Sequence, residues 1–211
     1  EDELWNESVA KLRQHSDSNV AIRLLRLIRQ REVIRIAIAD AIEILTQKEV
    51  SHALSTADQV LARGALAVAE REISDAESET PREHRLLTDL VLIAMGRQGG
   101  KEITYASDLD VMFVQRPKPW ADAAEAHKQS IQLANRVAAL VRRPIKPAVL
   151  GEQPLSIDAD LRPEGKKGPM VRTLESYAEY YQRWADVWER QALLRAVAVA
   201  GSEDVAEEFF K

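Results

Sequence analysis

"AMGRQGGKEITYASDLDVMFV" (residues 94–114) sets a Gly-Gly pair shortly before a hydrophobic stretch that opens with two aspartates one residue apart. In an extended chain Asp108 and Asp110 are i and i+2, so both side chains point the same way. Leu109, Val111 and Phe113 then point the other way, into a core. Two adjacent carboxylates repel each other, and stability alone gives no reason to keep them. A divalent cation bridging them does.

Upstream of this strand, "DLVLIAM" (89–95) is a short continuous apolar run that predicts a strand buried on both faces. Downstream, Pro117 and Pro119 end the aspartate strand, and Ala121 to Arg143 takes helical spacing with Ile131, Ala134, Val137, Ala138 and Val141 on one side. "LSIDADLRP" (155–163) alternates, with Ile157, Ala159 and Leu161 on one face and Asp158, Asp160 and Arg162 on the other. Strand, helix and strand in this order predict a mixed sheet with a crossover helix.

The first 85 residues read as helical throughout. Leu24, Leu27, Ile28, Ile34, Ile38, Ile42 and Leu45 recur at three- and four-residue steps as one stripe. Thr56 and Gln59 have capping-box spacing and predict a second helix running to about Ile73. "SETPREH" (78–84) reads as a loop. Helix returns from Leu174, with Ser176 and Glu179 as a capping box and Gly201 as a stop signal. The predicted class is α+β: a helical section 1–85 packed on a mixed-sheet core 86–172 flanked by helices, then C-terminal helices 173–211 that begin a further helical region. The chain opens "EDELW" and stops at "EEFFK" within an apparent helix, so it reads as a piece of something longer.

With 211 residues, 45% hydrophobic and 30% charged, the chain can bury a proper core. There is no apolar run of membrane-spanning length and no signal peptide, and cysteine is absent, which excludes disulfides and thiolate metal sites. A cytoplasmic setting fits. The net charge of -5 argues against nucleic acid as a partner.

Mg²⁺ takes oxygen ligands and commonly sits on one or two carboxylates plus substrate phosphates. Asp108 and Asp110 supply one side of such a site, and the 157–161 strand offers a third carboxylate. Gly99 and Gly100 allow backbone N–H groups to approach a triphosphate, and Ser107 adds a hydroxyl. Two metals on shared carboxylates activate an attacking oxygen and stabilise a leaving pyrophosphate. Each piece alone has a plainer reading: Asp-x-Asp is common at solvated strand ends, and Gly-Gly is an ordinary turn. Their combination between two apolar strands favours the catalytic reading. Arg23, Arg26, Arg29, Arg31 and Arg35 read as a solvated helix face partly paired with Glu32 and Asp40. The four histidines show no metal-ligand spacing, and Trp184 and Trp188 read as core anchors.

"GRQGGKEITYASDLDVMFV" resembles the signature of the DNA polymerase β-like nucleotidyltransferase superfamily, and more closely that of glutamine-synthetase adenylyltransferase, a bifunctional adenylyl-transferring and adenylyl-removing family. "LRLIRQREVIRIAIAD" (25–40) is similar to that family's arginine-rich leading helix. "DADLRPEGKKGPMV" (158–171) is similar to its third-carboxylate strand and glycine loop, and "WERQALLRA" (188–196) to the helix after them. The resemblance covers about residues 24–200. It implies Asp108, Asp110 and Asp158 as catalytic metal ligands for Mg²⁺ of the two-metal type, with ATP as substrate. Gly99, Gly100, Ser107, Arg162, Lys166 and Lys167 would then face the nucleotide.

The implied partners are glutamine synthetase and, through a full-length enzyme, a PII-type signal protein. "TYASDLD" and "RPEGKKGP" look more like the C-terminal, adenylylating domain of actinobacterial members than the removing domain. Two positions depart from the family pattern: Asp160 and Val197 stand where arginine is common. The other readings are the phosphorolytic, deadenylylating domain, a nucleotidyltransferase acting on a small molecule or RNA end, and a non-catalytic interaction module.

Overall fold

The computed structural model describes residues 2–77, 79–144, 146–148 and 151–211. Three helices lead: α1 (Asp2–Gln14), α2 (Ser18–Ala41) and α3 (Gln47–Ala76). Strand β1 (Thr88–Ala94) runs into a one-turn helix, α4 (Gly96–Gly99), and β2 (Leu109–Pro117) follows. Helix α5 (Ala123–Arg142) crosses to β3 (Ile157–Asp158), and β4 (Val171–Thr173) leads into α6 (Leu174–Arg183). The chain continues through α7 (Val187–Leu193), β5 (Val197–Gly201) and α8 (Glu203–Phe209).

Local chemistry sets the helix starts. Asp17 caps α2 by accepting from the Asn19 and Val20 amides, and Asp122 caps α5 in the same way. The capping box of α3 is Thr46 with Glu49. The expected box at Thr56 and Gln59 falls mid-helix, because an uninterrupted periodic run extends ten residues further upstream of it. At α6 the cap is Thr173, which accepts from the Ser176 amide; Ser176 itself lies inside the helix. The expected loop at 78–84 includes Ser78, which lies outside the described residues, and contains a 3₁₀ turn at Arg82–His84.

The sheet has the order β3-β2-β1-β5. β1 pairs antiparallel with both β2 and β5, whereas β3 and β4 both pair parallel with β2, β3 at Leu109 and Asp110 and β4 at Phe113, Val114 and Gln115. This is the predicted α+β class, a mixed sheet flanked by helices. Both faces are covered. Leu90, Leu92, Leu109, Val111 and Phe113 pack under α2, α3 and α5 in one cluster. Val91, Ile93, Met112 and Val114 pack against Leu174, Tyr177 and Val205 of α6 and α8 in another. Double coverage explains the unbroken apolar runs of β1 and β2.

Four local expectations are corrected. The alternating stretch 155–163 holds only a two-residue strand: the Arg162 amide donates to the Ala159 carbonyl at 3.2 Å and turns the chain, so Leu161 joins the opposite cluster from Ile157 and Ala159. Residues 197–201 form β5, not a helix end, because they pair with β1. The stripe through Ile34, Ile38 and Ile42 faces outward, while Ala21, Leu25, Ile28 and Ile36 carry the buried face of α2. Trp184 and Trp188 are likewise exposed rather than core anchors.

The arginines of α2 are also not a uniformly solvated face. Arg26 is fully buried, forks onto Glu152, and donates to the carbonyls of Arg143 at 2.6 Å and Leu140 at 3.5 Å. Arg29 pairs with buried Asp58 and donates to the Gln153 carbonyl at 3.0 Å. Arg23 donates to the Pro147 carbonyl at 3.0 Å. One helix thus grips the segment that leads to β3. Only Arg31 and Arg35 behave as expected, converging on Glu32. Asp40 accepts from Tyr105 at 2.9 Å.

Candidate active site

The candidate site begins where β2 and β3 lie side by side. Their parallel register sets Asp110 opposite Asp158, and the Leu109 amide donates to the Ser156 carbonyl at 2.8 Å to fix it. Asp108 stands one residue before β2, exposed at the mouth; Asp110 and Asp158 are half-buried. Burial raises the pKa of Asp110 above the usual carboxylate range. The charge of Asp158 adds to this, Arg97 opposes it, and Asp108 raises it further. A cation between the carboxylates would offset the repulsion among them.

Asp158 is oriented locally. Its Oδ1 accepts the Asp160 amide at 2.8 Å, which leaves Oδ2 for other work. Asp160 turns away to pair with Arg162 at 3.4 Å and Lys166 at 3.2 Å, so the extra carboxylate is neutralised within its own loop. Among the described residues no group of three or more His, Asp or Glu side chains is gathered tightly enough to enclose a metal ion. The donor set instead fits a hard cation that shares two or three carboxylates with substrate phosphates, the usual arrangement for Mg²⁺.

The Gly-rich turn is a packing device. Gly96, with φ of 53°, sits beneath Asp110: a Cβ there would lie 2.7 Å from the Asp110 Oδ2. At Gly99 a Cβ would meet the Arg195 carbonyl at 1.9 Å. The Gly99 and Gly100 amides already donate to the Met95 and Gly96 carbonyls, at 2.8 and 3.2 Å, inside the α4 turn. Within the turn each of these N–H groups has a backbone acceptor. Buried Gln98 ties the turn to α3 by donating to the Ser55 carbonyl at 3.1 Å.

The other expected nucleotide residues differ in what they do. Ser107 accepts from the Thr104 amide at 2.9 Å and shapes the loop leading to Asp108. Arg162 is largely buried and donates to the carbonyls of Ala159 at 2.6 Å and Gly168 at 3.1 Å, holding its loop closed. Lys166 and Lys167 are exposed on that loop. Three residues were missed by sequence reasoning: Gly96, Arg97 and Arg195. Arg195 reaches the turn from the far end of α7 and pairs with Glu102 at 2.5 Å. No local motif signals that contact.

The family model for glutamate-ammonia ligase adenylyltransferase matches residues 2–211. The chain is 42% identical over 203 residues to the bifunctional glutamine synthetase adenylyltransferase/adenylyl-removing enzyme of Mycobacterium tuberculosis, covering 96% of this chain and 19% of that protein. It is 39% identical over 202 residues to the enzyme of the same description from Corynebacterium efficiens, covering 96% of this chain and 18% of that one. For the Corynebacterium diphtheriae enzyme the identity is 38% over 216 residues, covering 100% of this chain and 19% of that protein. The chain therefore spans about a fifth of the length of these relatives. The match runs through the helical section, the carboxylate strands and the C-terminal helices alike: the chain belongs to the glutamate-ammonia ligase adenylyltransferase family.

Proposed function

We propose that this chain is an adenylyl-transfer domain that moves AMP from ATP to a tyrosine of glutamine synthetase. The observation that carries the reading is the register of Asp110 with Asp158 across two parallel strands, with Asp108 at the mouth. Mg²⁺ bound between these carboxylates and the substrate phosphates would neutralise charge on the α-phosphate and on the departing pyrophosphate.

The chain's own residues have separate tasks. Asp108 and Asp110 hold the cation side of the site, and Asp110 depends on Gly96 for the room its carboxylate occupies. The Oδ2 of Asp158 takes the phenolic proton as the tyrosine oxygen bonds to the α-phosphorus and the bond to pyrophosphate breaks. Lys166 and Lys167 face the phosphates from the loop that Arg162 keeps folded. Gly99 and Gly100 keep the α4 turn tight, and Ser107 fixes the approach to Asp108. On this reading the reaction is cytoplasmic, and a PII-type protein acts through the longer polypeptide.

Among the described residues no helix is long and apolar enough to cross a membrane. The test incubates the chain with α-labelled ATP, Mg²⁺ and unmodified glutamine synthetase. Label on a tyrosine, with pyrophosphate released, is the expected result. Absence of label, together with ADP release from adenylylated glutamine synthetase and phosphate, would assign the chain to the removing reaction instead. Neither reaction, together with no magnesium-dependent ATP binding, would leave only a non-catalytic module.

A further inference from the structure

Asp108 stands between two differently built pieces of chain. The direction of a side chain is set by the peptides on both sides of its Cα. On the far side the backbone is fixed by the sheet: Leu109 is fully buried, and its amide donates to the Ser156 carbonyl at 2.8 Å. On the near side are residues 101–107, which form neither helix nor strand.

That stretch takes its anchor from the leading helices. Lys101, with a positive φ of 54°, turns the chain out of α4. Ile103 is then only 1% exposed, and the sheet is not what buries it. It packs with Ile36 of α2 and with Val50 and Leu54 of α3, among Val33, Leu45 and Ala53. This cluster is separate from the two that cover the sheet, and its other members all belong to α2, α3 or the link between them. Two residues on, the Tyr105 hydroxyl donates to Asp40 in the last turn of α2 at 2.9 Å. A turn then closes: the Ser107 amide donates to the Thr104 carbonyl at 3.1 Å, and the Thr104 amide to the Ser107 hydroxyl oxygen at 2.9 Å.

Residues 103–109 are therefore an arch with both feet buried, Ile103 in the helical hairpin and Leu109 under the sheet, and with Tyr105 as a brace. A solvated connection has no need of an isoleucine in another element's core. A carboxylate that must meet a cation does, because such sites work only when held to within about 0.5 Å.

We propose that Ile103, braced by Tyr105, is a positioning residue for Asp108, so that the α2–α3 hairpin sets the direction of the outer carboxylate of the cation site. This rests on the adenylyl-transfer site proposed above. The test compares the wild-type chain with Ile103→Ala, the conservative Ile103→Val and Tyr105→Phe. A fourth variant, Leu66→Ala, hollows the main core beside Asp89 and Leu90, at the end of β1 away from the Gly-rich turn. Three readings are taken: Mn²⁺ affinity with a non-hydrolysable ATP analogue, by electron paramagnetic resonance; amide exchange at Ser107 in the metal-free protein; and single-turnover transfer to glutamine synthetase.

Ile103→Ala should weaken Mn²⁺ binding about tenfold or more, as loss of support behind a metal ligand does, with faster exchange at Ser107 and slower transfer. Tyr105→Phe should move all three readings the same way by roughly threefold, and Ile103→Val should stay near wild type. Leu66→Ala should lose stability in urea yet keep its Mn²⁺ affinity. Unchanged Mn²⁺ affinity in both Ile103→Ala and Tyr105→Phe would overturn the proposal. An equal loss in Leu66→Ala would also overturn it, reducing Ile103 to a stability role. If Ile103→Ala does not fold, Tyr105→Phe decides alone on the same terms. A wild type that binds Mn²⁺ and the analogue, loses that binding in Ile103→Ala and yet transfers nothing would support the positioning and refute the transfer reading. A wild type that binds neither would overturn both.

Discussion

Replacing Arg26 with alanine tests whether the leading helices hold the third carboxylate in place. The guanidinium is fully buried, forks onto Glu152, and donates to the last carbonyls of α5 at Leu140 and Arg143. Removing one partner of a buried pair leaves the other charge unsatisfied, which costs about 3–5 kcal/mol. That is a large fraction of the roughly 5–15 kcal/mol that keeps a domain folded. Arg26→Met with Glu152→Leu removes both charges and should recover much of this loss. It should not recover all of it, because the Leu140 carbonyl still loses its side-chain donor.

The assay is urea unfolding followed by circular dichroism, with amide exchange measured at Ile157 and Asp158 under native conditions. Faster exchange there should accompany the lost stability, since the grip of α2 ends just before β3. A loss below about 1 kcal/mol for Arg26→Ala would refute the reasoning on energetics. Lost stability with unchanged exchange at β3 would refute the mechanical link.

Asp110→Asn and Asp158→Ala should each lower single-turnover adenylylation by orders of magnitude, and Asp110→Asn should leave the fold as stable as before or slightly more so, because it relieves charge repulsion; thermal unfolding beside the kinetic assay checks both. Gly96→Ala should lose activity and about 1 kcal/mol of stability or more, because the new methyl group meets the Asp110 carboxylate and strains a positive φ. Glu70 has its pKa raised to about 7 by burial, with Asp89 adding and Lys118 opposing. The folded state therefore binds a proton that the unfolded chain has already released, so stability should fall as pH rises from about 4.5 to 7 and level off above. Glu70→Gln should flatten that decline, a difference on the order of 1–2 kcal/mol at pH 8 allowing for partial exposure, read by urea unfolding across the pH range.

The elements legible in the sequence were those with one dominant signal. β1 and β2 are continuous apolar runs, and α5 carries one apolar stripe through Ala134, Val137 and Val141. Helix α2 misled because it carries two apolar arcs. The regular steps through Ile34, Ile38 and Ile42 trace the outer arc, while the buried arc is interrupted by Arg26 and Glu32, whose partners are remote in sequence or charged neighbours. β5 was hidden because an alternating Val-Ala run after a helix reads as helix until its pairing with distant β1 is known. Asp110 and Asp158 could be chosen by face and by family resemblance. The work of the glycines could not, since the object that Gly99 accommodates is the Arg195 carbonyl, brought in only by tertiary packing.

β3 and β4 pair with the same strand, and this has a consequence for how the site can diversify. Asp158 aligns with Asp110 and Val171 with Phe113, so the excursion 159–170 leaves and rejoins β2 at points only three residues apart, about 10 Å. Such a loop has both its ends pinned to the same strand, at Asp110 and at Phe113. Doubling its length would cost only about 0.6 kcal/mol in closure entropy. Insertions there can reshape the rim that meets a substrate while the carboxylate that does the chemistry stays in register, so novelty can be confined to the excursion and constancy to the strand.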